Sequence, residues 1–308
     1  MMAGLPIDLE ITGHTDIGLK RSINQDAFKI VEIDEENPFY ILLVADGVGG
    51  NLPRGEVASA TAIKAFCESL ELTKSLLEDN VRRALTLTNR AVSEQATVLG
   101  IDIIGTTIAG IVIDKWGEGV QFNIGDTRIY RIRNSQADII SHDDVTVTIK
   151  EDGNAKPKSK LNSFLGQPKA IEPNIYPIKV KPDDNYLICS DGFWGLVQQT
   201  DDLLELFDGK STEEISQQCI EMTLQKGAPD NVTVIVVRSL KTDSTEPEIP
   251  IVANRTNDQK SKILTETEGR ASPKRNSWLL GVAIMIVVVI AILLWVVVNS
   301  GLLIAQHF

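Results

Sequence analysis

The sequence predicts one domain mixing β-strands and α-helices over residues 1–240, a disordered linker over 241–277, a membrane-spanning helix over 278–298 and a short tail over 299–308. Three observations carry this prediction. Short apolar runs rich in β-formers alternate with stretches whose apolar residues recur every three to four positions. From residue 241 that periodicity stops and Pro, Ser, Thr, Asn and charge take over, a composition that cannot bury enough apolar surface to fold. Trp278–Val298 is then an uncharged apolar run of 21 residues, enough for a helix to cross a hydrocarbon core of roughly 30 Å.

Composition narrows the function classes. Of 308 residues, 43% are hydrophobic and 23% charged, ordinary values for a globular chain. A formal charge of −12 argues against a protein that grips a phosphate backbone, so nucleic acid is not expected as a partner. Cys67, Cys189 and Cys219 sit in apolar contexts and are expected to be reduced core thiols. None starts a C-x5-R phosphate loop, since Thr73 and Gly195 stand where the Arg after Cys67 and Cys189 would be needed. His14, His142 and His307 are scattered singly, so no zinc-site spacing exists. No basic segment followed by an apolar stretch opens the chain, and no cleavable signal is expected.

Taken in order, Leu9–His14 and Ala27–Ile33 read as the two strands of a hairpin around a polar turn. Phe39–Ala45 is a continuous apolar run, the pattern of a strand buried on both faces, and it stops abruptly at Asp46-Gly47. Gly47, Gly49 and Gly50 allow the main chain to come close to something bound. After Pro53, Val57, Ala58, Thr61, Ala62 and Ala65 fall at helical spacing with Glu56 in the first turn, predicting a helix over Arg54–Leu70. Leu76–Leu99 is a second, strongly amphipathic helix. Gly105–Ile113 is a strand, and Gly119–Ile124 with Thr127–Ile132 reads as a strand pair joined by Gly125-Asp126. Residues 142–163 are polar and mixed, the composition of a mobile loop. Tyr186–Cys189 is a strand ending in Ser190-Asp191-Gly192. Helices over 201–208 and 212–226 lead to Pro229-Asp230-Asn231 and a last strand, Val232–Val237.

Asp46, Asp126, Asp191 and Asp230 thus all stand at strand ends. Each alone is an ordinary turn residue. Four at the mouths of apolar strands can converge, and carboxylates held close cannot all stay ionised without cations between them. Oxygen-only ligands favour Mg²⁺ or Mn²⁺ over zinc or copper. Two such ions can share a water, lower its pKa and aim it at an electrophile. For a phosphate ester a fixed guanidinium would complete the site, and Arg21 is the candidate.

Six ordered motifs then carry a resemblance: Thr15-Asp16-x-Gly18-x-x-Arg21-x-x-Asn24-Gln25-Asp26; Asp46-Gly47-x-Gly49-Gly50 with Gly55-Glu56-x-Ala58-Ser59; Gly105-Thr106-Thr107; Gly125-Asp126-Thr127-Arg128-x-Tyr130; Ser190-Asp191-Gly192; and Asp230-Asn231-x-Thr233. Over about residues 9–239 the chain resembles the metal-dependent protein serine/threonine phosphatases, the type 2C or PPM family, in their bacterial form. The resemblance implies an α+β fold, a four-layer α-β-β-α sandwich of two antiparallel sheets flanked by helix pairs. It implies that Asp46 bridges two Mn²⁺ or Mg²⁺ ions, with the Gly47 carbonyl on one of them and Asp191 and Asp230 holding the first. Asp126, with Asp191, would hold a third, looser ion. Arg21 would bind the substrate phosphate and Asp26 would order metal-bound waters, a metal-bridging hydroxide attacking phosphorus in line. A copy reduced to a phosphoprotein-binding module would be expected to have lost Asp46, Asp191 or Asp230, and all are present. Three departures stand out: Gln25 where some relatives are acidic, Asp144 where a His often follows Asp143, and a Val145–Ser163 segment shorter than the usual flap.

Lys260, Lys262, Arg270, Lys274 and Arg275 crowd one flank of the apolar run, and no Lys or Arg follows Val298. Positive flanks stay inside, so the expected arrangement is a single-pass protein of the cytoplasmic membrane with the catalytic domain facing the cytoplasm. Phosphorylated proteins, a membrane receptor-like Ser/Thr kinase among them, are the expected partners.

Overall fold

The computed structural model describes residues 6–33, 39–48, 54–148, 158–198 and 200–240. Two five-stranded antiparallel sheets form its centre. The first takes β1 (Asp8–Asp16), β12 (Val232–Leu240), β11 (Asn185–Cys189), β6 (Arg128–Arg133) and β7 (Gln136–Ile139), in that spatial order. The second takes β10 (Asn174–Lys179), β5 (Glu118–Ile124), β4 (Ile108–Asp114), β3 (Phe39–Asp46) and β2 (Asp26–Ile33). Side chains alternate across each strand, so every central strand feeds two cores. Leu42 and Val44 of β3 meet Ile188 and Ile235 between the sheets. The intervening Ile41 and Leu43 face outward, onto a helical layer.

That layer is α1 (Gly55–Ser69) and α2 (Leu77–Val98), whose Phe66, Val81 and Leu85 are buried against the second sheet. Phe66 stacks on Phe122 of β5 at 4.9 Å between centroids. On the other side α3 (Asp191–Trp194), α4 (Thr200–Leu206) and α5 (Thr212–Gln225) cover the first sheet through Phe193, Leu203, Ile215 and Cys219. A reciprocal capping box between Ser211 and Glu214 starts α5, satisfying donors that a helix start otherwise leaves open. The layers therefore run α-β-β-α.

Two expected strand pairings are corrected. β1 and β2 are not a hairpin: β1 pairs with β12 and β2 with β3, so residues 17–25 cross between sheets. Likewise β5 and β6 belong to different sheets, and Gly125, at φ 98°, turns the chain from one to the other. Local patterning locates a strand but says nothing of its neighbour, and sequence adjacency misled in both cases. The polar stretch read as a loop over 142–163 contains a small hairpin, β8 (Val145–Thr148) with β9 (Lys158–Leu161). β8 alternates Val and Thr over only four residues within a polar stretch, and β9 carries a single apolar residue, so both were missed.

Among the described residues no helix is long and apolar enough to cross a membrane. The expected linker, the Trp278–Val298 span and the tail lie outside the described residues, as do Gly49 and Gly50.

Candidate active site

A cleft of about 250 Å³ opens at one end of the sandwich, lined by Arg21, Asp46, Gly47, Val48, Thr107, Asp126, Leu161, Asp191 and Asp230. Each carboxylate arrives at a sheet end. Asp46 closes β3, Asp126 sits in the β5–β6 crossing, Asp191 follows β11, and Asp230 precedes β12. Asp26 opens β2 and faces Asp46 directly across the pairing.

The backbone around these groups is tightly fixed. Thr107 donates to the Asp46 carbonyl from its amide at 2.8 Å, and its Oγ1 accepts from the Asp46 N–H at 3.1 Å. Gly47 must lack a side chain, because a Cβ there would lie 2.5 Å from the Gly55 carbonyl and 2.6 Å from that of Gln25. At Gly192 a Cβ would come within 1.8 Å of the Asn231 carbonyl oxygen, so this glycine lets the Asp191 turn press onto the Asp230-Asn231 turn. Asn231 itself is buried and donates from Nδ2 to the carbonyls of Ile17 (2.9 Å) and Ile23 (3.1 Å), while its Oδ1 accepts from the Gln25 N–H (2.9 Å). It is a clasp at the start of β12.

Electrostatics single this cluster out. Burial, reinforced by Asp26, Asp191 and Asp126, pushes the Asp46 carboxyl well above the usual carboxylate range. Burial is also the main cause for Asp26 and Asp191, each raised to about 6, and for Asp126, raised to about 7 beside Asp191 and Asp143. Ser190 Oγ donates to Asp26 at 2.7 Å and partly offsets its shift. Arg21 Nη2 lies 2.6 Å from Asp230 Oδ2, and that hydrogen bond raises the guanidinium pKa further.

The Asp126 turn is bracketed by two consecutive carboxylates at the root of the β8–β9 hairpin. Asp143 holds Arg128 with contacts of 2.7–3.2 Å, so Arg128 forms a structural ion pair. Arg128 also lies 3.7 Å from the ring centroid of Trp194, whose Nε1–H donates to the Asp126 carbonyl at 2.9 Å. On the other side Asp144 Oδ2 accepts from the Gly125 N–H at 3.0 Å, and Asp144 Oδ1 from Asn174 Nδ2 at 3.1 Å. Asp143, Asp144 and Trp194 were not picked out by the sequence as site residues. Of the three, only Asp144 stood out in the sequence, as a departure from the pattern in which a His follows Asp143.

Arg21, Asp26, Asp46, Gly47, Asp126, Asp191 and Asp230 are therefore all brought to one cleft or its immediate wall. His142 stays outside it, its carbonyl accepting from Asn123 Nδ2. With Arg21 on Asp230, no three His, Cys, Asp or Glu side chains among the described residues already enclose one point as ligands. The donor chemistry nevertheless fits hard cations. Four carboxylates share a desolvated cleft with one guanidinium, and oxygen ligands of this kind suit Mg²⁺ or Mn²⁺. Cys189 and Cys219 are buried with thiols pushed up by burial, so neither is a poised nucleophile.

Residues 18–226 match the model of the protein phosphatase 2C family. Over 286 residues the chain is 28% identical to the serine/threonine protein phosphatase PstP of Mycobacterium tuberculosis, covering 88% of this chain and 53% of PstP. The chain thus spans about half the length of that relative. It is also 28% identical over 238 residues to the serine/threonine phosphatase stp of Listeria welshimeri, covering 72% of this chain and 93% of that protein. A crystal structure of M. tuberculosis PstP is similar with a TM-score of 0.65 at 27% identity, covering 76% of this chain and all of that one. The catalytic domain of PstP in complex with two manganese ions is similar with a TM-score of 0.61, also at 27% identity, covering 76% of this chain and 99% of that one.

Proposed function

The chain belongs to the protein phosphatase 2C family, and from that premise we propose that it is a metal-dependent protein serine/threonine phosphatase tethered to the cytoplasmic membrane. The observation that carries the catalytic reading is the cleft itself, where Arg21 stands among Asp46, Asp126, Asp191 and Asp230. Bound Mn²⁺ or Mg²⁺ would supply charge for the phosphate oxygens and a water acidic enough to attack phosphorus near neutral pH. Asp46 would be shared by two ions, Asp191 and Asp230 would complete the first site, and Asp126 with Asp191 would hold a third, looser ion. Arg21 binds and orients the phosphate through its planar fork, exchanging Asp230 for the substrate oxygens. Asp26, steadied by Ser190, holds water in the cleft by hydrogen bonds. The tether rests on sequence: the 21-residue apolar run and the five basic residues on one flank against none on the other.

The test is hydrolysis of a phosphothreonine peptide by the full chain in detergent with Mn²⁺. Chelator should stop turnover, and Asp46→Asn should lower kcat by about a thousandfold or more by removing a ligand shared by both ions. Full activity in chelator, or an active Asp46→Asn, would sink the mechanism. Arg21→Ala, run beside it, should act mainly through KM.

A further inference from the structure

We propose that the loop Ile17–Ile23 is a docking surface for apolar residues that flank the phosphorylated serine or threonine of a protein substrate, an inference that rests on the phosphatase reading. Ile17, Leu19 and Ile23 are 38%, 60% and 52% exposed, and Arg21, which lines the cleft, stands among them. Single exposed apolar residues are commonplace. Three within seven residues, on either side of the guanidinium assigned to the phosphate, are the kind of apolar exposure that marks an interaction site.

The loop holds them on a fixed backbone. The Asn231 amide clasps its two ends through the Ile17 and Ile23 carbonyls. Inside the loop the Gly18 N–H donates to Asp16 Oδ1 at 2.7 Å, and the Leu19 N–H to the Ala228 carbonyl at 2.9 Å. Gly18 takes φ +75°, and a Cβ there would lie 2.2 Å from the Asp230 carbonyl oxygen. The apolar side chains are thus presented on a backbone already ordered, which lowers the entropic cost of binding. Their position is tied to Asp230 and Asn231, so the docking surface and the cleft keep one geometry.

Charge selects the occupant. Bound cations would neutralise the carboxylates of the cleft, but the chain carries −12 overall. Acidic residues beside the phosphate would be repelled. Beside Arg21 the loop offers apolar contacts through Ile17, Leu19 and Ile23, and the cleft offers Val48 and Leu161. An extended segment with Leu, Ile or Val next to the phosphorylated residue fits both features.

The experiment uses the full chain with Mn²⁺ and four substrates. Three are phosphothreonine peptides identical except for flanks of leucine and isoleucine, of serine and asparagine, or of glutamate; the fourth is p-nitrophenyl phosphate, which has no flanks. The apolar peptide should show a KM about five- to tenfold below the serine-flanked one, the scale of one or two apolar contacts, with the glutamate peptide poorest. Leu19→Ser combined with Ile23→Ser should erase the preference for apolar flanks while leaving kcat and p-nitrophenyl phosphate turnover unchanged. Equal KM values in the wild type, or a preference that survives the double variant, would overturn the proposal. So would a double variant that changes only sedimentation or vesicle binding, which would assign the patch to a second copy or to lipid. A wild type that cleaves none of the four substrates would overturn the phosphatase reading itself.

Discussion

Asp26 and Asp46 oppose each other across one strand pair, with Asp126, Asp191 and Asp230 in the same neighbourhood. The carboxyls of Asp26 and Asp191 are raised to about 6 and that of Asp126 to about 7, burial being the first cause in each. In the unfolded chain these groups titrate near 3.8. A folded pKa above the unfolded one gives stability that is full below about pH 4 and is lost as pH rises through 6 to 7. Each such proton changes the slope by about 1.4 kcal/mol per pH unit, and each kilocalorie moves Tm by about 2–4 °C for a domain of this size. In chelator, therefore, Tm should fall between about pH 4 and 7, and Mn²⁺ should remove the fall by compensating the carboxylates. Asp126→Asn should flatten part of the slope in chelator; an unchanged slope would show that the cluster is not its source. These aspartates were legible in the sequence because each ends an apolar run or sits in an ordered motif. Val48, Thr107 and Leu161 were not read as cleft residues, since an apolar or threonine side chain in a cleft reads the same as one in a core. Ser190 was visible only as part of its motif, with no sign that it would donate to Asp26.

The β8–β9 hairpin has its root at Asp144, the residue that stands where relatives often have a His. The Asn162 N–H donates to the Asp144 carbonyl at 2.8 Å, the Asp144 N–H to the Gly125 carbonyl at 2.9 Å, and the carboxylate grips the Gly125 N–H. The hairpin and the Asp126 turn are therefore one hydrogen-bonded unit. Asp144→Ala should speed hydrogen exchange at the Gly125 amide and weaken the loosest Mn²⁺ binding step in a calorimetric titration, leaving the tighter steps in place. Asp144→Asn keeps one acceptor and should lie between the two. Unchanged exchange at Gly125 in Asp144→Ala would remove this positioning role. Strands and helices of strong pattern, β3, α2, β11 and α5 among them, were located from sequence to within about two residues, as expected where period and burial agree. Pairing was not. Nothing local in Leu9–His14 points to a partner near residue 235, and the short polar strands β7, β8 and β9 have too little apolar content to announce themselves.

At the scale of the whole chain, the proposed tether makes a definite topological prediction. A reporter active only outside the cytoplasm should be on when fused after Phe308 and off when fused near Leu240, because five basic residues flank the run on one side and none on the other. The reverse pattern, or a full-length protein recovered in the soluble fraction, would overturn it. In the tether we propose, residues 241–277 would reach roughly 30–40 Å as a coil, which would favour substrates held at the same membrane. The architecture adds a constraint of another kind. Among the described residues β1 has β12 as its only sheet neighbour, paired from Asp8 with Leu240 to Asp16 with Val232. The first strand to leave the ribosome must wait for the last, the most distant pairing the domain could contain and a slow one to form. A nascent chain halted before residue 230 holds β1 unpartnered, leaves Asn231 unable to clasp the Ile17–Ile23 loop, and lacks Asp230. No product halted before Asp230 carries the whole cleft, so the catalytic machinery comes into being only when synthesis of the domain is complete.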